Sequence, residues 1–325
     1  MKTRRSVLMH TAAAAAALGL GPAFAQQGYP NRAIKLIVPF PAGGSSDVMA
    51  RALGDKVGAA LGQSVVVDNR SGGGTVIGAQ AAATSRPDGY TLLQITPNAV
   101  VIGSLKPDLP YSLEKDFVPI VGVGAVPMLL AVPARSNLRT LADLVAVAKS
   151  NPGGLIYASG GVGSLGHLAP ARLLSELKIT GTHVPYRGVA PALQDLAGDR
   201  GHIMFVSSLE GMQSLKAGHI RVLGVTSEQR LPSLPDVPTM QELGMADFTP
   251  AVWYGFLAPA GTPPAIVARL SKVFAEAVQD PATRERLMSL GLTIRIRNSA
   301  EFAQQIRDET QRWARVVKDN KITLE

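Results

Sequence analysis

Ile34-Lys35-Leu36-Ile37-Val38-Pro39-Phe40-Pro41-Ala42-Gly43-Gly44-Ser45-Ser46-Asp47 is the stretch on which the fold turns. A short apolar, β-prone run stops at Pro39, and two glycines then let the backbone turn tightly. Beyond them Met49, Ala52, Leu53, Val57, Ala60 and Leu61 fall on one helical face, and Gly62 ends it. Strand, glycine loop and helix make half of a βαβ unit, and the same alternation spreads outward. Residues 65–68, 91–95 and 117–123 read as buried strands, with a short alanine-rich helix at 78–84. Arg86-Pro87-Asp88-Gly89 is a turn by its proline and glycine. Further strands are expected at 128–132, 155–158, 182–184, 203–206, 221–225 and 252–258. Helices are expected at 141–150, 166–177 and 190–197, and residues 231–238, with three prolines, read as a connector. Thr262-Pro263-Pro264 opens a helix with Thr262 as its cap, and Asn298 with Glu301 is spaced as a capping box for a last helix at 300–318. Such alternation predicts an α/β fold of parallel sheets covered by helices.

The 325 residues allow two domains at about 150 residues each. With 46% apolar and 17% charged residues, the chain has the composition of packed cores. The absence of cysteine excludes disulfides, Cys-ligated zinc, iron–sulfur clusters, cysteine nucleophiles and a lipid-anchored N-terminal Cys. The net charge is +8, and three of those positive charges are Lys2, Arg4 and Arg5. They precede an apolar run at 7–20 and Ala23-Phe24-Ala25, the form of a cleavable export signal. Residues 1–25 are therefore expected to be removed after Ala25, placing the protein in a bacterial periplasm by a general or twin-arginine route. The remaining positive charge is dispersed, without a basic run or interleaved aromatics, so no nucleic-acid partner is expected.

Three loops have the makings of anion cradles, because the first N–H groups of a helix lack intrahelical partners and its dipole favours negative charge. The first is 38–47, where a plain turn capped by Asp47 explains the residues equally well. The second is Asn69-Arg70-Ser71-Gly72-Gly73-Gly74-Thr75, whose glycines suit close packing or loop motion. The third, Ala158-Ser159-Gly160-Gly161-Val162-Gly163-Ser164-Leu165-Gly166-His167, carries G-x-G-x-x-G in Gly161, Gly163 and Gly166. A NAD site would need an acidic residue at the end of the next strand, which instead runs Val184-Pro185-Tyr186-Arg187. Arg187 leaves a NADP site open, while a simple carboxylate needs only the helix-start N–H groups, Ser159 and Ser164.

Catalytic constellations are sparse. No histidine pair has the H-E-x-x-H spacing of a zinc site, so no metal is expected. Ser164 lacks the glycine two residues before it that a nucleophile elbow requires, which weakens a Ser164–His167 hydrolase.

Taken in order, these motifs resemble the Bug family, periplasmic solute-binding receptors of tripartite tricarboxylate transporters. The likeness runs through Val38-Pro39-Phe40-Pro41-Ala42-Gly43-Gly44, Asp68-Asn69-Arg70 and Pro87-Asp88-Gly89-Tyr90. It continues in Tyr157-Ala158-Ser159, Val184-Pro185-Tyr186-Arg187-Gly188, Leu234-Pro235-Asp236-Val237-Pro238-Thr239 and Trp253-Tyr254-Gly255-Phe256-Leu257. It covers roughly residues 29–318.

The resemblance implies a two-lobed periplasmic-binding-protein fold of type II kind, with mainly parallel sheets flanked by helices and the ligand in the interlobe cleft. Lobe 1 is expected at 26–125 and 250–325, and lobe 2 at 126–249. It further implies a small carboxylate held by Phe40, Ala42, Gly43, Gly44 and Ser45 of one lobe and by Ser159, Gly161, Gly163 and Ser164 of the other. His167 and Tyr186 are expected to bind the ligand beside that loop, with Asn98 and Ser207 toward the ligand's far end. Asp47 is expected to cap its helix. A monomer that docks on integral-membrane transporter subunits, with no cofactor, no metal and no catalysis, completes the expectation. Thr75-Val76 stands where many members have Gly-Asn, Ser71 replaces a proline, Val206-Ser207 stands for Asp-Asn, and Ala171 for a glutamate. These losses predict a less polar distal group on the ligand, an aromatic or aliphatic monocarboxylate. Presentation of the ligand to a signalling partner, or an exported hydrolase or NADP-dependent enzyme, are the rival functions.

Overall fold

A computed structural model describes residues 28–324. The export signal and its cleavage site lie outside the described residues. In chain order the elements are β1 (Ile34–Val38), α1 (Ser45–Leu61), β2 (Val65–Asn69), a single 3-10 turn (Gly73–Thr75), α2 (Val76–Ala83), β3 (Thr91–Ile95), α3 (Pro97–Leu105) and β4 (Phe117–Pro133). Then follow α4 (Leu141–Ser150), β5 (Leu155–Ser159), α5 (Leu165–Glu176), β6 (Gly181–Pro185), α6 (Val189–Ala197), β7 (Ile203–Ser207), α7 (Ser208–Lys216) and β8 (Ile220–Val225). The chain closes with β9 (Ala251–Pro259), α8 (Pro264–Gln279), α9 (Pro281–Ser289), β10 (Thr293–Arg297) and α10 (Ser299–Asp319).

Two sheets share one strand. The first has the order β2-β1-β3-β9-β4-β10 and the second β8-β4-β7-β5-β6. In each sheet the outer strands are parallel, β1 with β2 and β3, and β5 with β6 and β7. The expectation of mainly parallel sheets needs one refinement. Every pairing of β4 is antiparallel, as is β3 with β9, because β4 and β9 carry the chain out of one lobe and back.

The two strands expected at 117–123 and 128–132 are in fact the one 17-residue strand β4. Gly122, Gly124 and Pro127 suggested a break, but their effect is local. The register with β9 shifts between Pro119 and Val121 and again between Gly122 and Gly124. Gly124 sits at φ 156°, where a Cβ would stand 2.4 Å from the Thr293 carbonyl oxygen. The strand therefore twists without ending, and Phe117–Pro127 serves one sheet while Met128–Pro133 serves the other.

Helices cover both faces of the first sheet. The α1 and α8 side buries Leu36, Val38, Leu53, Phe256 and Phe274. The opposite side buries Ile37, Leu93, Trp253, Phe302 and Trp313 beneath α2, α3 and α10. Phe302 rests where a Cβ on Gly255 would collide with its ring at 2.1 Å, so that glycine makes room for α10.

Four elements have no counterpart in the sequence expectations: α3, α7, α9 and β10. In α3 consecutive Ala99, Val100, Val101 and Ile102 are all buried, so there is no stripe to detect. Thr262 is not the cap of α8; Pro263 holds that position, and the Thr262 hydroxyl donates to the Pro259 carbonyl at 2.7 Å. The Asn298–Glu301 capping box is formed with both reciprocal bonds.

Candidate carboxylate site at the strand ends

The first loop leaves the carboxyl end of β1 and enters α1 with Gly44 in extended conformation at the cap position and no side chain capping the helix. Asp47 is buried and turned backwards. Its Oδ2 accepts the Gly43 N–H at 2.9 Å and the Arg51 Nε–H at 3.1 Å. Arg51 also donates to Asn69 Oδ1 at 3.2 Å, and Asn69 Nδ2 donates to the Phe40 carbonyl at 3.1 Å. The Arg51 guanidinium holds the Asp47 carboxyl below its usual range. The carboxylate is thus neutralised by Arg51, and the N–H groups of Ser45 and Ser46 at the start of α1 have no intrahelical partner.

Beneath this loop lies a polar floor within an otherwise apolar sheet. Gln94, opposite Phe256 in register, is fully buried, and both its amide oxygen and nitrogen lack a partner among the described residues. The buried Thr96 hydroxyl, at the cap of α3, is likewise unpartnered. Tyr254 reaches Ser45 Oγ at 3.4 Å, and burial pushes its phenol up. Gln94 and Thr96 thus place buried polar groups at the carboxyl end of an otherwise apolar strand, the end of a parallel sheet where ligands commonly bind. Asn98 is half-buried in the first turn of α3.

The second loop, between β5 and α5, is likewise a strand-to-helix junction. Gly161 (φ 136°) and Gly163 (φ 75°) supply backbone angles that side chains rarely adopt. Ser164 occupies the cap of α5 without a side-chain cap bond, and its hydroxyl donates to the Gly161 carbonyl at 2.7 Å. The Gly161 N–H is spent on Ser159 Oγ at 3.1 Å and the Gly163 N–H on His167 Nδ1 at 3.2 Å. The donors left by the start of α5 are the N–H groups of Leu165 and Gly166. A Cβ on Gly166 would meet the Phe205 carbonyl at 3.1 Å, so this glycine lets the helix pack against β7.

His167 is 5% exposed and its ring is stacked on His183, which places it behind the loop. Ser164 and His167 each bond elsewhere, so they form no hydrolytic dyad. Ser159 Oγ does lie 2.7 Å from His183 Nε2, a pair that spacing in the sequence gave no means to find, but Ser159 is fully buried. Tyr186 donates its backbone N–H to the Ser159 carbonyl at 2.9 Å and its phenol to Asp195 at 2.7 Å, turning the side chain toward α6. Ser207 caps α7, accepting the Glu210 N–H at 3.2 Å and donating to the Glu210 carboxylate at 2.5 Å. That carboxylate adds to the burial that raises the Tyr254 phenol. On the other flank a Cβ on Gly163 would stand 2.5 Å from Leu105 at the end of α3.

The expected loss of polarity at the distal end does not hold as argued. Val76 and Val206 belong to hydrophobic clusters, and Ala171 lines a cavity behind His167. These substitutions change packing, while the floor under the first cradle is polar through Gln94 and Thr96.

Two sheets share a strand, and each carries a glycine loop at a strand-to-helix junction, an architecture found in periplasmic binding proteins. Residues 49–322 match the model of the tripartite tricarboxylate transporter family receptor, and the chain belongs to that family. It is 38% identical over 310 residues to the protein BugT of Bordetella pertussis, covering 94% of each chain. It resembles the solved periplasmic binding protein BugD, with 32% identity and a TM-score of 0.76 over 91% of this chain and 99% of that one. An adipate-bound protein of R. palustris shares 33% identity with a TM-score of 0.79 over 91% of this chain and 99% of its own. Malate-bound MatC from Rhodopseudomonas palustris shares 31%, with a TM-score of 0.76 over 89% of this chain and all of its own. Among the described residues no helix is long and apolar enough to cross a membrane.

Proposed function

We propose that the chain captures a small carboxylate in the periplasm, between lobe 1 (26–125 and 250–325) and lobe 2 (126–249), and delivers it to integral-membrane subunits of a tripartite-type transporter. One observation carries the reading. Asp47 is turned back onto Gly43 and Arg51, which leaves the start of α1 free for an anion above the unpartnered Gln94 and Thr96. The adipate and malate in related structures agree with that chemistry.

In this reading Phe40, Ala42, Gly43, Gly44 and Ser45 embrace one carboxylate from lobe 1, with Asn98 toward the distal end. Ser164 and the α5 start approach from lobe 2, while Ser159, Gly161 and Gly163 shape that loop. Asp47, expected to cap α1, instead ties Gly43 to Arg51 and caps no N–H of the helix. Neither cradle alone surrounds a carboxylate, so the ligand favours the closed arrangement by its extra contacts there. The chain needs no nucleophile for this work, and the missing Ser164–His167 dyad argues against a hydrolase.

The test is calorimetric titration of the mature chain with malate, adipate, simple monocarboxylates and NADP, followed by recovery of the added compound. Binding of one carboxylate, recovered unchanged, supports the receptor. Turnover, or binding of NADP alone, overturns it.

A further inference from the structure

We propose that His167 and His183 are positioning residues, a stacked pair of neutral imidazoles that braces the second cradle from behind and releases it on taking up a proton. This deepens the carboxylate-receptor reading and rests on it for what the cradle holds.

The two rings lie 3.6 Å apart between centroids and 6° from parallel, with the Tyr157 ring beside both, 5.0 Å from His183 and 6.1 Å from His167. Each ring holds a different part of the loop. His167 Nδ1 accepts the Gly163 N–H, so that nitrogen carries no proton and the ring is the neutral tautomer protonated at Nε2. A proton added at Nδ1 would set one N–H against another and break the contact. His183 Nε2 meets Ser159 Oγ, whose single proton goes either to that nitrogen or to the Gly161 carbonyl. Protonating His183 forces the second arrangement. Loop shape and imidazole charge are therefore linked at both ends of Ser159–Gly163.

The reverse face of the pair is reachable from solvent. A cavity of about 490 Å³ is bounded by Tyr157, both imidazoles, Ser175 of α5, Thr180 and Lys321 beyond α10. Lys321 is exposed, so water and protons reach the rings without passing the ligand cleft. The charged and titratable groups facing the pair are Tyr157 of β5, each ring for the other, and Lys321; among the described residues no carboxylate lines the cavity. Glu176, at the end of α5, is engaged by Arg172. With no anion to welcome a second positive charge, the neutral state is the resting state. Burial pushes both imidazoles down to about 4, helped for His167 by the neighbouring ring.

The test uses ligand-free, isotope-labelled mature protein. Two-bond proton–nitrogen spectra report each imidazole's tautomer and titration, and amide exchange reports the Gly163 N–H. An unprotonated His167 Nδ1 at pH 7, with both rings neutral down to pH 5, is expected. The Gly163 protection factor should fall at least tenfold as the pair protonates. Asn in His167→Asn keeps an acceptor near the Nδ1 position but cannot titrate, so Gly163 should stay protected throughout. His167→Phe keeps the stack without the acceptor and should lose that protection at every pH. Either ring titrating near 6.5 with Gly163 unchanged, or a protonated Nδ1 at neutral pH, would overturn the brace, and wild-type spectra decide this even if a variant fails to fold. Titration with malate over the same pH range then separates the two readings. If malate never binds, the receptor assignment is in question while the brace stands or falls on the spectra.

Discussion

The Thr226 hydroxyl accepts the Met128 backbone N–H at 2.8 Å. It donates in turn to the Pro250 carbonyl at 2.6 Å, while the Thr226 N–H returns to the Met128 carbonyl at 3.0 Å. One side chain, 1% exposed, therefore joins three strand segments at two crossings between the sheets: the middle of β4, and the end of β8 with the entry to β9. This bond triangle holds the crossings in register.

Replacing Thr226→Val keeps the shape and removes both hydroxyl bonds, stranding a buried donor and a buried acceptor. The expected cost is about 2–4 kcal/mol, seen as a lower urea midpoint with an unchanged slope. Thr226→Ser retains both bonds and should cost under about 1 kcal/mol, so equal losses in the two variants would contradict this role.

Much of the frame was legible because it is written in local chemistry. Ile34–Val38 and Thr91–Ile95 form at the bounds their apolar runs imply, and the two glycine loops sit at strand-to-helix junctions as expected. What escaped was non-local. Nothing near Gly124 says that Thr293 will press against it, so a bulge looked like a strand end. Buried-all-round α3 has no period, and the Ser159–His183 contact joins β5 to β6 across 24 positions of chain. The polar floor was equally hidden, since Gln94 reads as an ordinary strand residue until Phe256 is placed opposite it.

Thr75 carries a strain the sequence hinted at. It replaces a residue that is often glycine in the resembling family, yet it keeps a left-handed φ of 89° while 3% exposed, with its hydroxyl unpartnered. Such a backbone costs a β-branched residue about 1–2 kcal/mol, and glycine gives back about 0.5–1 kcal/mol in unfolded-state entropy. Thr75→Gly should therefore stabilise the protein by roughly 0.5–1 kcal/mol, read as a higher urea midpoint.

Ser164 separates binding from folding. Its hydroxyl donates within the loop to Gly161 and, by rotating about Cβ–Oγ, can give that single proton instead to a carboxylate at the start of α5. Ser164→Ala should weaken the bound carboxylate by about tenfold, the scale of one charge-assisted hydrogen bond at about 1.5 kcal/mol. Calorimetry on whichever carboxylate binds the wild type gives the comparison. Unchanged affinity would move the site away from this loop.

Asp47 gives a test with a defined sign. Its folded-state carboxyl is held below the ordinary value, first by Arg51 and then, against the opposing effect of burial, by the Gly43 N–H. A depressed carboxyl stabilises the fold at every pH above its unfolded-state value of about 3.9, and that stability drains away as pH falls through the lower folded value. Asp47→Asn can still accept the Gly43 N–H but loses the Arg51 ion pair. At pH 7 it should cost about 1 kcal/mol, the scale of a helix-start carboxylate contact. The gap between variant and wild type should then close in acid, because a protonated Asp47 resembles the amide. Denaturant midpoints at pH 7 and pH 3 measure both quantities. A gap that persists at pH 3 would mean that the shape of the carboxyl group, not its charge, holds the first loop against Arg51.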